Sequence, residues 1–243
     1  VKKLLFILAV CYVLINAVFP ELKNVADGMV HDIIIIAVLI YACYIALAET
    51  VRHSDGSALL IGTLALNAFA INEIYLFAYR YLLKANIADI TVADFSRSCA
   101  YLFLISAIVL LVRFPKKIEK PLNTAIGFVS GMATLLIIYD IAANNGASLH
   151  YFKHLIVTIC FSLAVFLLIQ SFKIESLNRA WGFALSVMAM CVIDTLYRSI
   201  YIFNIPAPYL QNVVISLFSL IYLSIALSLL KLKNASREAL QNG

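Results

Sequence analysis

Residues 58–82, ALLIGTLALNAFAINEIYLFAYRYL, hold only two charged side chains, Glu73 and Arg80, in an otherwise apolar run. A helix crosses the hydrocarbon core with about 20 such residues, so this stretch is long enough to span a bilayer. An ionised carboxylate at its centre costs roughly 2.5–3.5 kcal/mol to insert, so Glu73 needs a partner or a task. A second stretch repeats the pattern. Residues 181–203, WGFALSVMAMCVIDTLYRSIYIF, carry Asp194 and Arg198 among apolar neighbours.

The whole chain is made the same way. Its 243 residues are 64% hydrophobic and 13% charged, with a mean hydropathy of +0.99. Soluble domains carry about 25% charged residues, so the composition predicts an all-α integral membrane protein in contact with the lipid bilayer. No hydrophilic stretch is long enough for a separate soluble domain, and residues 1–243 read as a single transmembrane helical domain. The net charge of +5 is spread over short linkers, without the dense basic patch that binding nucleic acid requires.

Apolar runs between charged or Pro/Gly breaks predict eight helices, near 3–19, 31–48, 58–82, 97–113, 122–143, 154–172, 181–203 and 209–230. The breaks include Pro20, the His53-Ser54-Asp55-Gly56 turn, the basic Pro115–Pro121 linker, Asn144-Asn145-Gly146, and Pro206 with Pro208. Proline lacks an amide donor and disfavours helix in the residue before it. Lys2-Lys3 before LLFILAVCYVLI resembles a signal peptide, but its best cleavage site, Ile15-Asn16-Ala17, is poor, which favours a retained first helix.

With the N-terminus inside, twelve Lys and Arg residues fall on inner segments and six on the outer side. The positive-inside bias and the even number of expected spans both put the two termini in the cytoplasm. A shift of 121 positions lays Glu73 on Asp194, and Ser98-x-x-Tyr101-Leu102 on Ser219-x-x-Tyr222-Leu223. The match predicts two four-helix halves, 1–114 and 121–233, in parallel repeat about an axis along the membrane normal.

The candidate ligand- or ion-binding residues are Glu73, Asp194, Arg198, Asn72, Arg80 and Asp140. Asp194 and Arg198 are four apart, the spacing at which helical side chains meet, so an intrahelical ion pair is expected. Glu73 and Arg80 share a face but are separated by about 10 Å along the axis, and Arg80 is expected to snorkel toward headgroups. Asp140, His150 and His154 gather at the outer side. The two histidines have helical ligand spacing but lack the glutamate of HExxH and a third ligand, so they read as interfacial, with no metal site. Cys11, Cys43, Cys99, Cys160 and Cys191 form no CxxC pair and read as small apolar groups.

No nucleotide, haem or protease motif emerges, and no catalytic residue or cofactor is assigned. Two classes of function fit. One is a small transporter or ion-conducting protein in which Glu73 and Asp194 bind a cation or proton. The other is a non-catalytic sensor or assembly subunit that binds a ligand, a partner membrane protein or a second copy from the outer side. A lipid-modifying enzyme built on Asp140, His150 and His154 ranks behind both.

Overall fold

The computed structural model describes residues 7, 10–14, 28–51, 57–83, 92–113, 149–202 and 208–241. The described residues contain no strand. Six long helices carry the fold: α1 (Gly28–Val51), α2 (Ser57–Phe77), α3 (Val92–Arg113), α4 (Leu149–Lys173), α5 (Trp181–Ile202) and α6 (Pro208–Gln241). A π-helical turn, Ala78–Leu82, ends α2, and a 3₁₀ segment, Glu175–Ala180, joins α4 to α5.

Local chemistry accounts for several of these ends. Pro208 opens α6, where its missing N–H removes no intrahelical bond. Asp94 in the first turn of α3 and Lys173 in the last turn of α4 complement the helix macrodipole. Ile174 is extended, with φ −118° and ψ 116°, and breaks the chain between α4 and the 3₁₀ segment.

Five segments are long and apolar enough to span a membrane: Ala58–Leu82, Val92–Val112, Leu155–Lys173, Leu177–Tyr197 and Val213–Leu232. Asp32–Ala48 is apolar but shorter. The outward surfaces agree with that reading. Ile40, Tyr44 and Leu47 on α1, Leu60, Leu64 and Ile71 on α2, and Leu185, Val192 and Leu196 on α5 are all exposed. Apolar residues at such spacing, backed by an equally apolar buried face, suit lipid on one side and protein on the other. This is the make-up of a multi-pass membrane protein.

Each helix packs on its neighbours in sequence, and α6 closes back onto α1. Contacts between α3 and α4, and between α2 and α6, join the first three helices to the last three. The shared core includes Leu66, Phe69, Tyr101, Leu104, Leu167, Phe183, Tyr222 and Leu229. Gly62 permits a close approach within it. A Cβ at that position would lie 2.7 Å and 2.9 Å from the two methyl carbons of Leu229, so α2 and α6 meet where glycine leaves room.

The expected spans at 3–19 and 122–143 lie largely or wholly outside the described residues. Three helices begin three or more residues earlier than their expected spans. α1 starts at Gly28, α4 at Leu149, and α3 at Val92 rather than 97. The last difference matters for function, because it moves Arg97 from a helix end to a position more than a turn inside.

Candidate functional site

Glu73 and Asp194 come from different helices and enter the same polar cluster. Asp194 is wholly buried on α5. Its Oδ1 lies 2.7 Å from Nη2 of Arg97 on α3. The ion pair seen at Asp194 is interhelical, with Arg97, and the expected pairing with Arg198 falls on a side chain outside those described. Arg198 itself lies on α5.

Aromatic rings enclose the guanidinium. Arg97 Cζ stands 5.2 Å from the centroid of the Phe218 ring, a cation–π distance. Phe218 in turn contacts Tyr222 and Tyr197, each with ring centroids 6.1 Å apart. Phe69 sits between Tyr101 and Tyr222, at 5.5 Å and 5.3 Å. Ser96 donates to the Ala68 carbonyl at 2.7 Å, which fixes the start of α3 against α2 just before Arg97.

Glu73 has different partners. The Tyr222 hydroxyl donates to Oε1 at 3.1 Å, and Nδ2 of Asn72 donates to the same oxygen, also at 3.1 Å. Arg97 is close enough for its charge to act on Glu73, although its short contact is with Asp194. Glu73 is only half-buried, whereas Asp194 has no exposed surface. The nearby polar residues of α2 are occupied locally. Thr63 donates to the Leu59 carbonyl and Asn67 to the Thr63 carbonyl, leaving Asn72 as the amide that serves the cluster.

Beyond Glu73, Arg80 bonds to Oδ2 of Asp32 on α1 at 3.1 Å. Tyr197 on α5 stands beside it. The π-turn, in which the Leu83 amide donates to the Ala78 carbonyl at 3.0 Å, carries Arg80 to these groups. Such single π-turns widen a helix and are frequent at functional positions. The expectation that Arg80 need not pair with Glu73 agrees with this arrangement, and its partner is Asp32.

The structure thus brings together Glu73, Asn72 and Asp194, with Arg80 one layer away. Asp140 lies outside the described residues, and His150 and His154 are placed on α4 by their backbone alone. Sequence reasoning missed Arg97, Tyr222 and Asp32 as members of the site. The signal for Arg97 was Asp94, an acidic first-turn residue that marks an earlier helix start. Tyr222 was already conspicuous in the match to Tyr101, but without a role.

Two features lie outside the cluster. A lateral groove of about 240 Å³ between α4 and α5 is lined by Val157, Thr158, Phe161, Cys191, Val192, Thr195 and Leu196. Toward the other end of α5, Ser186 Oγ lies 2.7 Å from Ser224 Oγ and 3.3 Å from Ser228 Oγ on α6. Among the described residues, no group of three or more His, Cys, Asp or Glu side chains is gathered as a metal site. No family model matches the chain, and neither a curated protein nor a solved structure shows significant similarity to it.

Proposed function

We propose that this chain is a small transporter or ion-conducting membrane protein that binds a proton or small cation at the Glu73–Asp194 cluster. One observation carries the reading: among the described residues, Arg97 pairs with Asp194 inside the bundle, and its charge also reaches the second carboxylate, Glu73. Asp194 balances Arg97, and Glu73 remains with neutral donors only. A buried excess of one negative charge is costly, and a bound proton or cation removes it. The groups involved lie on α2, α3, α5 and α6, so a change in occupancy acts on several helices together.

The proposed parallel repeat gives the site a geometric basis. A shift of 121 residues takes α1 to α4, α2 to α5 and α3 to α6. The packing of α1 on α6 then corresponds to that of α4 on α3. Arg97 and Phe218, which the shift makes equivalent, touch each other, and the equivalent Tyr101 and Tyr222 flank one ring, Phe69. Contacts between equivalent positions support a pseudo-two-fold axis near the cluster. Cytoplasmic termini remain supported by the lysine and arginine bias alone. In a cysteine-free background, a cysteine at 118 is expected to label from inside and one at 147 from outside.

Flux into reconstituted vesicles tests the function. Glu73→Gln and Asp194→Asn keep size and hydrogen bonding but lose the titratable charge, and each is expected to abolish pH- or cation-dependent uptake. Unchanged flux in both variants would remove the transport reading and put the sensor or assembly subunit in its place.

A further inference from the structure

The donors around Glu73 discriminate among cations. Both of its hydrogen bonds end on Oε1, and Oε2 accepts none among the described residues. A hard metal ion such as Ca²⁺ takes about six to eight oxygen ligands. Here the close groups are one tyrosine hydroxyl and one amide whose NH₂ faces the carboxylate. A proton needs one free lone pair, and Oε2 offers it.

The surroundings of Glu73 also differ between its two ends. Along α2 on one side lie Ala65, Leu66 and Phe69, all without exposed surface, in a core that includes Leu104, Ile108, Ile225 and Leu229. That side is dry and close-packed. On the other side, Tyr75, Leu76, Phe77 and Tyr79 are only half-buried. Beyond them stand Asp32 and Arg80, whose side chains are 16% and 36% exposed. Asp32 is close enough for its charge to act on Glu73. The charged and titratable groups that act on Glu73 are thus Asp32 from α1, Arg97 from α3 and Tyr222 from α6, with Asp194 and Tyr101 around Arg97 and Tyr197 beside Arg80.

We infer that the exchanging ion is a proton carried on Oε2 of Glu73, and that it enters and leaves past the Asp32–Arg80 pair. The inference rests on the cation-site reading proposed above and specifies its ligand and route. In the exchange, one O–H bond forms on Glu73 as one breaks on a hydronium ion, leaving water, and no electrons are transferred. Asp32 and Arg80 do not carry the proton in this scheme. Their ion pair, with Tyr197 beside it, holds α1, α2 and α5 together over the site and limits water's access to it.

The test uses the full chain in liposomes and two carbodiimides, which add to protonated carboxyl groups, with mass spectrometry reading modification at residue 73. Dicyclohexylcarbodiimide, the lipid-soluble reagent, is expected to modify Glu73 less and less as pH rises. Na⁺, K⁺ or Mg²⁺ at fixed pH should give no protection. Protection by one of these metals would overturn the proton assignment while leaving a cation site at Glu73 intact. Labelling indifferent to both pH and metals, or absent from Glu73, would instead overturn the cation-site reading itself.

A water-soluble carbodiimide tests the route. Asp32→Asn and Arg80→Gln are each expected to raise its rate of reaction at Glu73 several-fold, with Asp32→Glu restoring the parent rate. Ser186→Ala, in the hydroxyl cluster away from this end, should leave that rate unchanged. Acceleration by Ser186→Ala with none from Asp32→Asn or Arg80→Gln would place the entry elsewhere. Using both Asp32 and Arg80 variants keeps the test decisive where one of them fails to fold.

Discussion

Glu73 and Asp194 stand at matching places in the two proposed halves, yet their surroundings are opposite in kind. Asp194 is fully enclosed and bonded to a guanidinium. Glu73 is half-buried and bonded to a phenol and an amide. A buried carboxylate against arginine is held in its charged form by a partner that does not titrate in the working range. A carboxylate served by neutral donors can gain or lose a proton without leaving a cation stranded. Two similar residues thus have opposite chemistry around them, one an ion pair and the other neutral hydrogen-bond donors.

The largest effect is expected at Arg97. Arg97→Leu removes the arginine from the buried Asp194 ion pair and should cost about 3–5 kcal/mol, read as loss of folded protein in detergent melts. The double variant Arg97→Leu/Asp194→Leu should recover most of that loss. A single variant as stable as the parent would break the contrast, because Asp194 would then not depend on Arg97. Next comes Gly62→Val, which overpacks the α2–α6 contact at Leu229 and should cost about 1–3 kcal/mol. It is expected to weaken the coupling between Glu73 and Tyr222 in a double-mutant cycle while sparing that between Arg97 and Asp194.

A smaller effect is expected for Glu73→Gln, which keeps an acceptor for Tyr222 and should change stability by about 1 kcal/mol or less. Its stability should also vary less with pH than the parent's, whereas Arg97→Lys should retain the parent's pH dependence. Equal pH profiles for Glu73→Gln and the parent would assign the titration to another group. The smallest is Ser186→Ala. The interhelical hydroxyl bonds it removes average about 0.6 kcal/mol in membrane proteins, and neither carboxylate should respond.

Much of the helical architecture was legible in the sequence, because lipid imposes a simple rule on composition and length. Segments such as 58–82 and 181–203 can hardly be anything other than spanning helices. Glu73 and Asp194 were legible for the same reason, since each breaks an apolar run. Their partners were not. Asp194 has Arg198 at the spacing a single helix favours, but only the packing of α3 against the rest of the bundle brings Arg97 to it. Periodicity records which side chains share a helix face, but not which helix lies opposite. Asp32 was invisible for a related reason: its link to Arg80 depends on a π-turn that no hydrophobic pattern encodes.

The length of α6 has a mechanical consequence. At about 1.5 Å per residue, Pro208–Gln241 is a rod of roughly 50 Å, well beyond the hydrocarbon thickness of about 30 Å. Tyr222 grips Glu73 along this rod, and the helix runs on without interruption past the apolar segment that ends at Leu232. A small tilt at the tyrosine is therefore magnified at the projecting tip, as a pointer on a balance amplifies the motion of its pivot. An event confined to a few atoms within the lipid layer would thereby become a displacement that a molecule in the surrounding water could sense.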